Sequence, residues 1–371
     1  MTLITPEFIT RNADEIIAEL VAQYETLTGK TLQPAQPERL ILNAFAYREL
    51  LLRQGIQDTA LQNLVDFSRA PVLDYLGALV GVTRLAAAPA ECTIRFTLVN
   101  GHGNVTIPAG TRVSSTDGKA VFRTKADANV LVGIDTADVE ADCDTPGEFG
   151  NGYTVGQIGT ILDPQAFLSA ATNLATTAGG ADEETDDHLR DRIKLAPASF
   201  SNAGSKGAYI YWAKTANANI IDVAIIQPTP GTVNIYPLMA DGSVTPSEVL
   251  TAVEEACNDE KIRPLTDTVD AIAPTRGTYT LVVSLTLYDW AIQADVVAKV
   301  TENLTTFTRE RRLKMGQDIK KSQIIHEVVI DGVFDATILN GAVPFVDLVA
   351  SLNEYHFCTN ITVSVVGTTA G

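Results

Sequence analysis

Gly179-Gly180-Ala181-Asp182-Glu183-Glu184-Thr185-Asp186-Asp187-His188-Leu189-Arg190-Asp191-Arg192-Ile193 divides a chain that reads β-rich before it and mixed α/β after it. Glycine tolerates backbone angles that other residues avoid, so Gly179-Gly180 reads as a joint. It either allows the flanking domains to change angle or permits one tight, fixed turn. The acids from Asp182 to Asp187, Glu183 among them, stand where a helix would begin. Carboxylates there accept from free N–H groups and face the positive end of the helix dipole. Leu189 and Ile193 give that helix a small buried edge, and Arg190 and Arg192 are expected toward its end. A metal site or catalytic carboxylate pair is the sharper reading of the run. A capped, solvated helix start outweighs it, because calcium loops space their oxygens around a turn glycine and none follows Gly180.

Outward from this stretch, residues 11–80 read as helices. Ala13, Ile16, Ile17, Leu20, Val21, Tyr24 and Leu27 recur at helical spacing. Asn12 with Glu15 suggests a cap, and Gly29 a stop. A second helix is expected from Pro37 through Phe45 and Leu51 to Val65, with a possible bend at Gly55, and a short third after Pro71. These faces, with Leu20 and Phe45 on them, serve either a self-contained bundle or contacts with other subunits. From Pro89 the pattern changes to alternation: Cys92, Ile94, Phe96 and Leu98 against Thr93, Arg95 and Thr97. Further strands are expected around Val105–Ile107, Val121–Phe122, Val130–Ile134, Val139 and Val155–Ile161. Asp117-Gly118, Pro146-Gly147 and Gly150-Asn151-Gly152 supply turns, so residues 88–178 read as a β-sandwich or barrel-like domain.

Beyond the joint, Gly204-Ser205 opens a helix through Tyr209 and Trp212, followed by strands Ile220–Ile226 and Val233–Tyr236. Thr245-Pro246-Ser247-Glu248 reads as a capped helix start, and Asp267–Ile272 as a strand. Thr278–Tyr288 alternates strictly. A helix follows from Gln293, another over Ile319–Ile330, and two or three strands close the chain. The fold class expected is α+β and multidomain: a helical region 1–87, a β-rich domain 88–178, an α/β domain 179–275 and a second α/β domain 276–371.

Composition narrows the function. A formal charge of −18 with a sequence pI near 4.6 disfavours nucleic acid and anionic membranes as partners. It suits solubility and basic protein partners. The four cysteines lie far apart without C-x-x-C spacing, so reduced thiols are expected. No signal peptide and no apolar run of membrane-spanning length is seen. The cluster Arg309, Arg311, Arg312 and Lys314 reads as a solvated helix end or a contact with an acidic neighbour. There is no Gly-x-Ser-x-Gly elbow, Walker loop or His-Glu-x-x-His, and the four histidines stand alone. No catalytic residue, metal or cofactor is therefore assigned, although a distant carboxylate pair of the glycosidase kind stays open.

Several segments carry a resemblance. Gly179–Ile193, Ala196-Pro197, Ala203-Gly204-Ser205 and Ala208-Tyr209-x-x-Trp212-Ala213 resemble the signature of the baseplate J-like family. So do Leu76–Val82, Ile107–Val113 with Phe122-Arg123-Thr124, Ile262–Val269, and Met315–Ile325 with Gly332-Val333. The resemblance implies a non-enzymatic wedge component of a contractile phage tail or tailocin. Two copies and a smaller tail protein I-type partner would form one wedge through a helical core bundle. The C-terminal domains would join wedges into a ring near the sheath initiator, hub, spike and tail fibres. That ring would transmit the contraction trigger, after assembly in the host bacterial cytoplasm. Hinge or interface roles are expected for Gly179, Gly180, Asp182, Glu183, Asp187, Arg190, Gly204, Leu20 and Phe45. The alternative from another class is a β-rich adhesin or glycan-active tail protein.

Overall fold

The computed structural model describes residues 4–200, 204–259, 262–264 and 266–370. Ala203 and Leu265, within the motif segments above, lie outside the described residues. The chain divides into two compact units, residues 1–83 with 189–193, and residues 84–188 with 194–371.

The first unit is helical: α1 (Ala13–Thr28), α2 (Pro37–Gln62) and α3 (Val72–Ala78), joined by the turns 189–193 of α4 (Asp186–Ser199). Asn12 caps α1 by accepting from the Asp14 N–H, and left-handed Gly29 ends it with its N–H on the Glu25 carbonyl. α2 runs unbroken through Gly55. The interior is small: Ile16, Val21, Ala46, Leu73, Leu189 and Ile193. Polar groups do much of the tying. Buried Gln57 accepts from the Phe8 N–H at 2.8 Å and donates to the Pro6 carbonyl at 2.7 Å.

The second unit starts with a barrel-like sheet. Its strands are β1 (Glu91–Leu98), β2 (Val105–Ile107), β3 (Arg112–Ser115), β4 (Val121–Thr124), β5 (Ala128–Val130), β6 (Thr136–Cys143), β7 (Ile158–Ile161) and β8 (Leu168–Asn173). The main sheet has the order β7-β3-β4-β6-β1-β8, and β2 pairs with β5 in a separate ribbon. The two end strands approach each other: the Ile158 N–H donates to Asn173 Oδ1 at 3.0 Å. The sheet is thus nearly closed, which removes most of its exposed edges. Ile94, Phe96, Val113, Phe122 and Ile158 fill its interior.

A mixed layer follows: α5 (Lys206–Ala216), β9 (Ile220–Ile226), β10 (Thr232–Met239), α6 (Ser247–Asn258) and β11 (Thr268–Ala271). β10 pairs antiparallel with β9 and parallel with β11. Tyr209, Val249, Val253 and Cys257 pack on the sheet through Val223, Ile235 and Val269. The last layer holds β12 (Thr275–Tyr288), α7 (Gln293–Arg312), α8 (Lys321–Val328), β13 (Val333–Asn340), β14 (Val343–Pro344) and β15 (Glu354–Thr369), in the sheet order β14-β13-β12-β15. Tyr279, Leu281, Val283, Leu285 and Leu287 point together into a core with Val300, Leu304 and Ile324. This is the α+β multidomain class with a barrel-like domain.

Local expectations need correction in five places. Residues 131–134 form a turn, not a strand, and β8 went unread. Thr245 does not cap α6, because its hydroxyl donates to the Pro237 carbonyl at 2.6 Å. α8 starts at Lys321, because Ile319 is taken into a bridge with Leu348. Arg190 and Arg192 sit in the middle of α4, which continues to Ser199.

Candidate functional site

The glycines of the joint are enclosed by their own unit. Residues on either side form antiparallel bridges, Ala88 with Ala181 and Glu91 with Ala178. The Gly180 N–H donates to Asn151 Oδ1 at 2.9 Å, and its carbonyl accepts from Asn151 Nδ2 at 2.8 Å. A Cβ at Gly180 would stand 2.4 Å from the Gly147 carbonyl oxygen. Glycine is required there for close approach. Gly179 differs: its φ of 86° is left-handed, and the nearest obstacle to a Cβ, Glu248, is 3.7 Å away. Here the backbone angle selects glycine.

The acidic run splits into roles that its composition hides. Asp182 and Glu183 are exposed, and Asp182 Oδ1 accepts from the Glu148 N–H at 3.0 Å. Glu184 is buried. Its carboxylate accepts from the Leu85 N–H at 2.9 Å and meets His188 Nδ1 at 2.5 Å. Arg84 donates to the Glu184 carbonyl at 2.6 Å and to Asp186 Oδ1 at 2.7 Å. Thr185 is the true cap, its hydroxyl accepting from the His188 N–H, so α4 begins at Asp186 with Asp186 and exposed Asp187 in its first turn. The run is therefore a helix start, but not a solvated one throughout.

His188 is likewise buried rather than on the helix surface. Its Nε2 donates to the Ile220 carbonyl at 2.9 Å. A carbonyl can only accept, so Nε2 is the donor there, and Nδ1 faces the Glu184 carboxylate. Both nitrogens are thereby spent on protein groups, and the ring has no free position for general-base work. The Glu184/His188 spacing of four was visible in the sequence; the Ile220 carbonyl that completes the arrangement was not.

Within the helical unit, Arg190 donates from Nε to the Val65 carbonyl and from Nη2 to the Ser68 carbonyl, both at 2.8 Å. Arg192 reaches the Thr83 carbonyl at 3.2 Å. Both tie loop backbone to α4. Gly204 has a φ of 69°, and a Cβ there would stand 2.8 Å from Pro264. Nearby, Tyr209 donates to Asp267 Oδ2 at 3.2 Å, and Arg263 donates to the Asp267 carbonyl at 2.6 Å. Two distant motif segments thus meet around Asp267. Leu20 is half-buried, whereas Phe45 is 61% exposed. Phe45 belongs to a row on α2 with Ile41, Leu52 and Ile56, all more than half exposed. Leu40 and Tyr47 lie exposed on a second face.

A cavity of about 380 Å³ opens beside Gly179 and Gly180, lined by Asn151, Asn217, Asn219 and Asp241 among others. The lining also carries Glu148, Thr176, Thr177 and Ser243. Among the described residues, no group of three His, Cys, Asp or Glu side chains is placed to hold a metal. No described helix is long and apolar enough to cross a membrane.

A helical region, a barrel and mixed α/β layers, with motif glycines packed against other segments, define a modular multidomain α+β protein. The chain matches the Baseplate J-like N-terminal domain over residues 36–91, the Baseplate J-like protein barrel domain over 93–180 and the Baseplate J-like central domain over 201–273. It belongs to the baseplate J-like family. Baseplate protein J of Escherichia phage P2 is 31% identical over 178 residues, covering 47% of this chain and 57% of that protein. The phage-like element PBSX protein XkdT of Bacillus subtilis is 25% identical over 260 residues, 70% of this chain and 64% of that one. The chain thus spans less than two thirds of the length of these two relatives. A chain of the anti-feeding prophage baseplate aligns over 92% of this chain and 90% of its own, with a TM-score of 0.42 and 11% identity.

Proposed function

We propose that the protein is a structural wedge component of the baseplate of a contractile phage tail or related injection machine, without catalytic activity. The observation that carries this reading is α2. A helix apolar on several faces is stable in water only when those faces are covered. α2 buries Ala46 inward and leaves Ile41, Phe45, Leu52 and Ile56 outward. A second copy of the chain, with a smaller tail protein I-type partner, would cover this row in a core bundle. On this reading residues 1–87 are the bundle region. Residues 88–178 and 179–275 form the body, and 276–371 the part that joins wedges into a ring around hub and spike. The sheath initiator and tail fibre proteins would be neighbours there, and assembly would take place in the host cytoplasm.

Gly180, enclosed on all sides, supports the fixed-turn reading of the joint. Proline fits neither glycine: it cannot adopt the φ of Gly179, and at Gly180 it would remove the bond to Asn151. Structures before and after contraction test this reading; unchanged backbone angles over 178–182 support it, and a changed angle means a hinge. The wedge assignment is tested by electron microscopy of particles carrying a labelled chain. Label in a ring at the baseplate is expected; label on the capsid or at fibre tips overturns it.

A further inference from the structure

β15 is a sixteen-residue strand at the edge of the last sheet, and among the described residues β12 is its sole strand partner. Among the described residues, no other element hydrogen-bonds to its outer backbone edge from Phe357 to Thr368. Proteins usually blunt such an edge with lysine, proline or extreme shortness. This strand has no lysine and no proline, and Glu354 is its one charged residue at neutral histidine. Ile361, Val363 and Val365 face the core beneath α7, while Asn360, Thr362 and Ser364 face out.

A second observation lies along the same edge. A groove of about 440 Å³ runs between Cys358–Ile361 and the last turns of α7, where Thr305, Thr308, Arg309 and Arg312 line it. In a chain of net charge −18, Arg309, Arg312 and Lys314 form no ion pair among the described residues. The Nε of Arg312 is buried with no acceptor, although its guanidinium lies 5.7 Å from the Phe357 ring centre. The dipole of α7 favours cations at this end. It calls for neither the threonine-lined groove nor the bare strand edge beside it.

We propose that the open edge of β15 receives an extended acidic segment of a neighbouring protein chain as an added strand. Main-chain bonds to β15 would give affinity, and alternate side chains would give specificity. Residues two apart on a strand point to one face and stand roughly 7 Å apart. Residues three apart on a helix have Cβ atoms roughly 5–6 Å apart, so two carboxylates at i and i+2 can meet Arg309 and Arg312. A second β15 pairing with the first would bring no carboxylate between Phe357 and Thr368 and would leave the arginines unmatched. This inference stands apart from the α2 reading, since it concerns other residues and is read by direct binding.

The probe is a fluorescent ten-residue peptide alternating Glu and Val, titrated into the full chain at pH 8. Two control peptides replace Glu by Lys or N-methylate every second amide, which removes strand pairing but keeps charge. Saturable binding is expected for the first peptide alone. It should weaken at least tenfold on Arg309→Glu with Arg312→Glu, both changes on the rim of a folded domain whose circular dichroism is followed in parallel. Absence of saturable binding up to millimolar peptide overturns the proposal. So does equal binding of the N-methylated peptide, which would mean charge contact alone, or indifference to the double substitution in a folded chain. A concentration-dependent dimer that blocks the peptide and ignores the arginines would assign the edge to a second copy instead.

Discussion

In the barrel, Ile94, Phe96, Phe122 and Ile158 are fully enclosed, whereas on the single helix α2 Phe45, Leu52 and Ile56 stand 53–69% exposed. The two regions differ in where their apolar residues go rather than in whether they have them. A closed sheet sorts side chains by strict alternation, so half of each strand faces one interior. A lone helix packed on two short neighbours can cover only one stripe, and the rest stays exposed. The difference teaches that the barrel satisfies its apolar residues within the chain, while α2 leaves its own uncovered, as the proposed interface requires.

The sharpest way to break this contrast is paired truncation. Phe96→Ala should cost about 3–5 kcal/mol, as for large buried aromatics. Phe45→Ala should change stability by less than about 0.5 kcal/mol, as for surface positions. Urea unfolding of the isolated chain measures both; similar losses would dissolve the distinction. Next comes the buried pair. Glu184→Ala leaves His188 without its carboxylate and the Leu85 N–H without its acceptor, and about 3 kcal/mol should be lost. His188→Ala in the same background should add little, since the pair acts as a unit.

The joint sharpens the comparison at smaller scale. Gly180→Ala forces a contact with the Gly147 carbonyl and should cost about 1–3 kcal/mol. Gly179→Ala meets only an ordinary contact with Glu248 and should cost about 1–2 kcal/mol for its left-handed angle. The buried thiols add a pH dependence. Burial pushes the Cys92 and Cys257 thiols up from 9.0 to about 12, so folding favours their neutral form. Their contribution to stability is complete below pH 9 and is lost as pH rises from 9 through about 12. Alkaline melts should show that decline, and cysteine to serine variants at both sites should lessen it. At pH 8 a thiol reagent should label half-buried Cys358 before either.

Much of the fold could be read from the chain because the signals were local. Asn12 and Gly29 bound α1, Pro37 opens α2, and the alternation of β1 and β12 names their inner faces. Thr245 shows where local reading fails: its hydroxyl had a distant carbonyl to choose, on Pro237. At the joint, the glycines and the helix start were visible, but the reason for Gly180 lies in residues 147 and 151. Glu184 and His188 looked like surface charge because nothing nearby in sequence announces the Ile220 carbonyl. Arg190 was expected near a helix end, but α4 continues to Ser199. Phe45 and Leu20 read alike by periodicity; only packing separates an exposed ring from a half-buried side chain.

The most direct test of the central claim concerns Phe45. Tagged wild-type and Phe45→Asp chains, each produced together with the remaining tail proteins, are purified and weighed by native mass spectrometry, with circular dichroism on the same samples. The account predicts that wild type emerges as a complex with two copies of the chain, and Phe45→Asp as a single folded chain with undiminished helical signal. A Phe45→Asp chain that assembles like wild type, or one that loses its helical signal together with assembly, would contradict the claim that α2 carries an interface.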